Sequence, residues 1–465
     1  MRKNRIVVGG GIAGLLSAYL LAIKTDDKIH LVEKSNSLGG LLKCFDYGEF
    51  GKFDYGAHNI LESGIEELDT LLFTLLKEDD WTVSSALNGQ KRALTGTYYH
   101  GRLQEHSPYI DLRKEENINE LKLDFLENLE QLKEPDYSTA YNYAQSIFGS
   151  KITDEHISPI CKSLYGVDAK ALDYMAMFLT PLVRVGLFDI NIMNDLLETK
   201  LFSKNLAYPN QKALSSQYFG VKKTYYPKEY GIYKVIEKLE EKLKEYGVNI
   251  YLNSEVDSLF YDNNEINKLS INGKLMSNIQ SLFWSAGLGS ISKVLDLQEA
   301  AMNYDKAPKT AITNILINKK LNIGDICYLY NYDEDIDVFR VDNYMNYCEN
   351  AERAGGYPIS VEMLIKDDAL GAEEIRLIAL DSLTKLGILA ENTEIIFSKT
   401  EILEYGFPLL TSNNIAIFDD IREQVKMKKI KNLTLLGVLS NKDLFFESDI
   451  KKDLYNKTME IVNDN

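Results

Sequence analysis

Three glycines near the start of the chain have the spacing of a dinucleotide-binding turn. They occupy the first, third and sixth positions of the segment Gly9-Gly10-Gly11-Ile12-Ala13-Gly14. In such a turn the first glycine makes the bend, the second lets the backbone approach a pyrophosphate, and the third lets helix and strand pack closely. The start of the following helix offers free N–H groups and a partial positive charge to the phosphates. We therefore expect a dinucleotide at this turn.

An acidic residue stands where the ribose of such a ligand is bound. Glu33 ends the second apolar run of the chain and is followed by Lys34. A carboxylate at this position accepts hydrogen bonds from ribose hydroxyls and repels a 2′-phosphate. The sequence therefore disfavours NADP.

The hydrophobic pattern predicts the elements that position these residues. Residues 5–8 and 28–33 are predicted strands, and residues 12–23 a predicted apolar helix, which together form a right-handed βαβ unit. Helical patterns follow at 62–80, 115–134, 138–200, 231–246, 371–388 and 449–463. Strand-like patterns follow at 249–252, 256–261, 266–271, 281–285, within 310–365 and at 433–437, and a hairpin is expected at 97–103. Residues 201–224 show no clear period and are expected to form a loop or lid.

These elements predict an α/β protein with a discontinuous Rossmann-like domain and inserted substrate regions. We expect residues 1–62, 225–300 and 400–465 to form the cofactor domain. Residues 63–224 are expected to be a mainly helical substrate or lid region, and residues 301–399 a mixed-sheet substrate domain.

The continuation of the chain resembles a known flavoprotein superfamily. Glu33 is followed six residues later by Gly39-Gly40-Leu41, which resembles the FAD signature of the amine oxidase, protoporphyrinogen oxidase and UDP-galactopyranose mutase superfamily. The resemblance implies that FAD is the cofactor and that the Gly39-Gly40 loop lies along it. Phe53-Asp54-Tyr55-Gly56-Ala57-His58 resembles the "F-D-x-G-x-H" stretch of these proteins. By that resemblance Gly56, Ala57 and His58 approach the flavin, and His58 donates a hydrogen bond to flavin or substrate, or tunes the flavin.

Later segments extend the resemblance to much of the chain. The strand around Val256 resembles the one whose backbone meets the adenine, and Ala286-Gly287 resembles the turn at which the chain returns to the cofactor. Gly437-Val438 resembles the C-terminal flavin contact of the mutase branch, with Val438 in place of an arginine. We therefore expect a backbone contact there and no side-chain contact.

Two arginines lie in segments that resemble the mutase branch. Arg184 ends a "P-V-R"-like stretch, and Arg340 belongs to an "F-R-V-x-N"-like strand. Arginine suits bidentate binding of a diphosphate, although for each of these residues taken alone a structural salt bridge is the favoured explanation. With His58, they are the candidate catalytic residues.

Three functions remain open from the sequence. The first is an FAD-dependent oxidoreductase that transfers hydride from a small-molecule substrate to flavin N5. The second is a mutase-like flavoenzyme that acts on a nucleotide sugar in surface polysaccharide biosynthesis without net oxidation. The third is a flavin-binding partner protein without turnover.

Composition narrows the choice of partners. The chain carries 52 basic and 69 acidic residues, a net charge of −17, which disfavours nonspecific binding to nucleic acid.

The four cysteines form no CxxC pair, so no metal site is predicted. We find neither a secretory leader nor an apolar stretch long enough to cross a membrane. We expect a cytoplasmic monomer or homodimer.

Overall fold

The computed structural model describes residues 2–84, 94–131, 134–210, 212–214, 222–229, 231–297, 303–404, 406–441, 444 and 446–463. Its first layer is a five-stranded sheet, here called the parallel sheet, in which every pairing is parallel. Its strands lie in the order Asn249–Tyr251, Lys28–Val32, Asn4–Val8, Ile279–Trp284 and Leu433–Leu435. The predicted βαβ unit is confirmed, since the helix Ile12–Lys24 connects the strands Asn4–Val8 and Lys28–Val32.

Two further helices cover the crossover helix of the parallel sheet. Ile12–Lys24 contacts Tyr233–Glu245 and the C-terminal helix Glu447–Asn463. Its Leu15, Leu20 and Leu21 side chains are fully buried, as the apolar run in the sequence indicates. Burial on nearly all sides explains why this helix carries few polar residues.

The second layer is a mixed sheet of seven strands, here called the seven-stranded sheet. Its strands lie in the order Ile395–Leu403, Lys309–Ile317, Tyr357–Ile365, Arg340–Asn343, Ile326–Asn331, Leu94–Tyr99 and Arg102–Gln104. The last two strands are the predicted hairpin. The helix Ala372–Lys385 packs against one end of the sheet, where it contacts Ile395–Leu403 and Lys309–Ile317.

Along the chain, a helical region lies between the strand Arg102–Gln104 of the seven-stranded sheet and the strand Thr224–Pro227. Its described helices are Ile118–Glu130, Ala140–Phe148, Ser150–Ile152, Ser158–Tyr165, Ala176–Leu179, Ile190–Leu196 and Lys200–Asn205, with one π-helical turn at Thr153–Ile157. Phe125, Phe148 and Met177 form part of its own buried core. The helix Glu66–Phe73 precedes this region and packs with Leu68 and Leu72 in the core of the parallel sheet.

Three small sheets complete the fold. The strands Val256–Asp262, Glu265–Ile271 and Lys274–Ser277 form an antiparallel sheet, Cys44–Asp46 pairs with Lys52–Asp54, and Thr224–Pro227 lies between Ile60–Leu61 and Trp81–Ser84. The remaining α-helices of the described residues are Leu288–Val294 and Ser412–Met427.

The structure differs from the expectation in several places. The predicted loop at 201–224 begins within the helix Lys200–Asn205 and ends in the strand Thr224–Pro227, and its residues 211 and 215–221 lie outside the described part of the chain. The strand Ile395–Leu403 and the helix Ser412–Met427 were not predicted. That strand also runs across the predicted domain boundary between residues 399 and 400.

Candidate functional site

Two of the three motif glycines are required by packing. A Cβ atom on Gly9, whose φ is +103°, would lie 2.5 Å from Ser285 Oγ and 2.9 Å from the Ala286 nitrogen. A Cβ atom on Gly14 would lie 1.9 Å from the Gly9 carbonyl oxygen. Gly9 and Gly14 therefore close the strand–turn–helix junction, as the spacing of the motif predicts.

The third motif glycine lies beside open space. Gly11 has an ordinary extended conformation, with φ −77° and ψ 178°, and a Cβ atom there would meet only the Gly40 Cα atom, at 3.9 Å. A Cβ atom on Gly287 would have no heavy atom within 4 Å. Among the described residues, no side chain caps the helix that begins after Gly11. An uncapped helix start with room for a ligand fits a pyrophosphate.

Glu33 is fixed beside this turn by hydrogen bonds. Its Oε2 atom accepts a hydrogen bond from the Gly10 nitrogen at 2.6 Å, and its Oε1 atom accepts from the Ser35 nitrogen at 2.8 Å and from Ser35 Oγ at 2.6 Å. The neighbouring Lys34 is exposed and lies 3.5 Å from Glu255. The carboxylate is therefore held in place and has accepting capacity left for a ribose hydroxyl.

The Gly39-Gly40 loop lies directly against the glycine turn. The Gly39 nitrogen donates to the Gly10 carbonyl at 2.7 Å, and Gly39 and Gly40 have φ values of +119° and +59°. Leu41 follows with about half of its side chain exposed. Two positive φ values explain the glycine pair, because other residues rarely adopt them.

The remaining predicted cofactor contacts lie at the ends of strands. Val256 is buried and begins a strand of the small antiparallel sheet, and Gly287 precedes the helix Leu288–Val294. Gly437 follows the last strand of the parallel sheet with a φ of +62°. Val438 exposes its side chain, and its carbonyl accepts a hydrogen bond from Arg422 Nη2 at 2.7 Å.

The predicted flavin segment is attached to the seven-stranded sheet by one carboxylate. Glu362 is buried, and its Oε1 atom accepts a hydrogen bond from the Ala57 nitrogen at 2.9 Å. Gly56 has a φ of +89°, and a Cβ atom there would lie 2.6 Å from the same oxygen. Only glycine fits at position 56, because both the conformation and the approach of Glu362 exclude a side chain.

His58 presents a hydrogen-bond acceptor in this segment. Its Nδ1 atom lies 3.1 Å from the Gly56 carbonyl, which can only accept, so Nδ1 is the donor. Burial lowers the pKa of His58, and the charge of Arg340 lowers it further while Glu362 opposes both. The imidazole is therefore neutral at pH 7, which leaves Nε2 as an acceptor. This corrects the expectation that His58 donates a hydrogen bond to flavin or substrate.

Arg340 is held in an ion pair within the seven-stranded sheet. It lies opposite Glu362 on the neighbouring strand, and its Nη2 atom donates to both carboxylate oxygens, at 2.7 and 2.8 Å. Its Nε atom lies 3.7 Å from the fully buried Asp342. The guanidinium that the sequence offers for a diphosphate is thus paired with protein carboxyl groups.

The structure brings two of the three catalytic candidates together. His58 and Arg340 both lie beside Glu362, whereas Arg184 has other neighbours: its Nε atom donates to the Lys204 carbonyl at 3.4 Å, and its guanidinium lies over the Tyr109 ring at 5.6 Å. The structure does not bring Arg184 into this cluster.

Several residues of the site were missed in the sequence. Glu362 and Asp342 give no local signal, because their role depends on strand register. Asp54 lies inside the "F-D-x-G-x-H" stretch, and Ser285 directly precedes Ala286-Gly287, so both motifs could have identified them. Ser285 Oγ donates to the carbonyl of Val8 at 2.9 Å and thereby ties the turn to the neighbouring strand.

Comparison with known proteins agrees with this geometry. Residues 7–73 match the NAD(P)-binding Rossmann-like domain family. Over its whole length the chain superposes on a crystal structure of reduced UDP-galactopyranose mutase, with a TM-score of 0.74, 15% identity and 95% of that chain covered. It also superposes on the cyclohexylamine oxidase of Brevibacterium oxydans IH-35A, with a TM-score of 0.64, 11% identity and 99% of that chain covered. The chain has the fold of both enzymes. The predicted Rossmann-like α/β class is confirmed.

Part of the chain is also similar in sequence to a curated protein. The coproporphyrinogen III oxidase of Staphylococcus aureus (strain NCTC 8325 / PS 47) is 23% identical over 274 residues. The match covers 56% of this chain and spans only 55% of that protein.

The described residues contain neither a candidate membrane-spanning helix nor a candidate metal site. None of their helices is both long and apolar enough to cross a bilayer. Within the same residues, no group of three or more His, Cys, Asp or Glu side chains is arranged to hold a metal ion.

Proposed function

We propose that the protein is an FAD-dependent oxidoreductase that transfers a hydride from a small-molecule substrate to flavin N5. The observation that carries the proposal is the open space beside Gly11, at an uncapped helix start and next to the fixed carboxylate of Glu33. The fold is shared with an amine oxidase, and the curated relative is also an oxidase.

Each part of the site has a task in this proposal. The backbone at Gly11 and Gly40 receives the pyrophosphate, and Glu33 accepts from the ribose. Bound FAD supplies the redox chemistry by accepting a hydride equivalent. The Gly56–His58 segment orients the substrate, since the neutral His58 offers an acceptor at Nε2 for a substrate N–H or O–H group.

A sugar mutase is the second candidate. It is favoured by the full-length structural similarity to UDP-galactopyranose mutase. The paired state of Arg340 weighs against it, because a guanidinium that donates twice to Glu362 has fewer N–H groups to offer a diphosphate. We therefore place this function second.

The spectrum of the purified protein tests the cofactor, and Gly11→Val tests its position. We expect flavin absorbance in the wild type and at least tenfold weaker FAD binding in Gly11→Val, a loss of about 1.4 kcal/mol or more. The fold should survive, because the added side chain enters open space.

Gly371→Val is the matched control. Gly371 also precedes a helix in extended conformation, with φ −84° and ψ 160°, and a Cβ atom there would meet only Glu374 Oε2 at 3.8 Å. It should leave FAD binding unchanged. If the purified wild-type protein carries no flavin and also does not bind added FAD, the proposal is wrong.

The reaction is tested by anaerobic mixing of the FAD-loaded protein with candidate substrates. Bleaching of the flavin by amines or porphyrinogens supports the oxidoreductase. Turnover of a nucleotide sugar only after dithionite reduction supports the mutase. A lack of response to both classes favours a flavin-binding partner protein without turnover.

The proposal includes a cellular setting. The four cysteines are free thiols, which agrees with a reducing compartment, so we place the protein in the cytoplasm. Its partner is a small-molecule substrate, and we propose a monomer or homodimer, which light scattering of the purified protein tests.

A further inference from the structure

One carboxylate connects the seven-stranded sheet to the predicted flavin segment. Glu362 receives the Ala57 N–H at 2.9 Å and lies so close to Gly56 that a Cβ atom there would be 2.6 Å from its Oε1 atom. The same carboxylate takes both hydrogen bonds from Arg340 Nη2. The position of the Gly56–His58 segment and the charge beside it thus depend on the same side chain.

We propose that Glu362 is a positioning residue of the cofactor site: it fixes the Gly56-Ala57-His58 segment and balances the charge of Arg340, and through that balance it sets the redox potential of the bound flavin. The proposal rests on the proposed binding of FAD. A buried charge acts over a long range because little water screens it, so an unbalanced cation at this position stabilises the reduced, more negative flavin.

Asp342 has to be included in the design of the test. It is fully buried, and its side chain lies 3.7 Å from Arg340 Nε. Burial and the charge of Glu362 raise the pKa of Asp342 well above its usual value, whereas, despite burial, Arg340 lowers the pKa of Glu362, so a proton shared by the two carboxyl groups resides on Asp342. When Glu362 is replaced, Asp342 can ionise and balance Arg340 in its place. A single Glu362→Gln variant therefore shows only part of the effect.

The test is a series of midpoint potentials measured on FAD-loaded protein by dye-linked reduction. Asp342→Asn replaces a neutral group by a neutral group and should leave the potential unchanged. The D342N/E362Q double variant leaves Arg340 unbalanced and should shift the potential to a less negative value. Adding R340Q to that variant should return the potential toward that of the wild type.

A residue with only a structural role would not give this pattern. Loosening of the site would move the double and triple variants in the same direction, which would overturn the electrostatic part of the proposal. Glu373→Gln is the control for carboxylate loss elsewhere, because the exposed Glu373 side chain pairs with Arg376 on the helix Ala372–Lys385. It should not change the potential.

The positioning part is measured without the cofactor. In the apoprotein, Glu362→Ala should speed amide exchange at Ala57, whereas Glu362→Gln, which keeps an accepting oxygen, should restore slow exchange. Equal exchange in the wild type and both variants would overturn this part. If the wild type binds no FAD, the proposed function fails by its own test, and the exchange measurement still decides whether Glu362 holds the segment.

Discussion

At the scale of single residues, Asp54 joins the predicted flavin segment to the helix Tyr233–Glu245. It is buried, accepts a hydrogen bond from the Tyr226 hydroxyl at 2.6 Å, and accepts another from the Ile232 nitrogen at 3.1 Å. Burial raises the pKa of Asp54 to about 7, although both hydrogen bonds oppose this shift. The aspartate of the "F-D-x-G-x-H" stretch therefore supports the strand Thr224–Pro227 and the start of the helix.

This raised pKa predicts a pH dependence that Asp54→Asn removes. The unfolded chain releases the Asp54 proton near pH 4, whereas the native state keeps it up to about pH 7, so ionisation costs native stability in that window. The free energy of unfolding of the wild type should fall relative to that of Asp54→Asn, by about 1.4 kcal/mol per pH unit, between about pH 4 and 7. Asparagine still accepts from Tyr226.

Urea unfolding at a series of pH values gives both curves. The difference between wild type and Asp54→Asn should be constant above about pH 7. Curves that run parallel from pH 4 to pH 8 would show that Asp54 keeps an ordinary pKa.

At the scale of elements, the C-terminal helix is joined to the strand Ile60–Leu61 by an ion pair in which the lysine is buried and the glutamate is partly exposed. Glu447 Oε2 accepts a hydrogen bond from the Leu61 nitrogen at 3.2 Å, and Lys451 Nζ donates to the Leu61 carbonyl. Lys451 Nζ also lies 2.8 Å from Glu447 Oε1, and the lysine side chain is fully buried. The helix Glu447–Asn463 is thereby attached to the chain at Leu61, which is three residues after His58.

Breaking this ion pair should cost more than replacing both partners. Lys451→Met leaves the partly buried carboxylate of Glu447 without its cation, and we expect a loss of about 1.5–3 kcal/mol in the free energy of unfolding. The K451M/E447L double variant removes both charges and should lose less. Chemical denaturation measures all three proteins, and a double variant no more stable than Lys451→Met would contradict the argument.

The elements differ in how far they could be predicted from the sequence. The βαβ unit was predicted because its glycines, apolar runs and acid are close together in sequence. The helix Ser412–Met427 was missed although it carries a signal, with Ile417, Ile421 and Val425 at helical spacing after a Thr411 cap. The Glu362 cluster could not be predicted, because Ala57 and Glu362 are 305 residues apart and meet only through tertiary structure.

At the scale of the whole molecule, the two large sheets share one hydrophobic core. Val7 and Phe283 of the parallel sheet belong to the same buried cluster as Leu316 and Cys327 of the seven-stranded sheet. The hydrogen bond from Ala57 to Glu362 adds a polar connection. Because residues of both sheets pack together in this cluster, we expect the two sheets to unfold as one unit.

Cofactor binding should therefore protect both sheets equally. At an FAD concentration of 100 times the dissociation constant, binding stabilises the native state by about 2.7 kcal/mol. We expect the slowest amides of the strands Asn4–Val8 and Tyr357–Ile365 to exchange about 100-fold more slowly, as hydrogen-exchange mass spectrometry can measure. Protection limited to Asn4–Val8 would mean that the sheets open separately.

The strand order of the parallel sheet has a consequence for biosynthesis. The strands Asn4–Val8 and Lys28–Val32, which pair in the fold, are synthesised close together, but the other neighbour of Asn4–Val8, Ile279–Trp284, leaves the ribosome far later. At usual elongation rates that gap of roughly 270 residues lasts roughly 15–50 seconds. During this time the nascent chain presents an apolar strand with one unpaired edge, which is a site for mispairing between chains. We therefore expect that a chaperone protects this strand edge in the cell until Ile279–Trp284 has been synthesised.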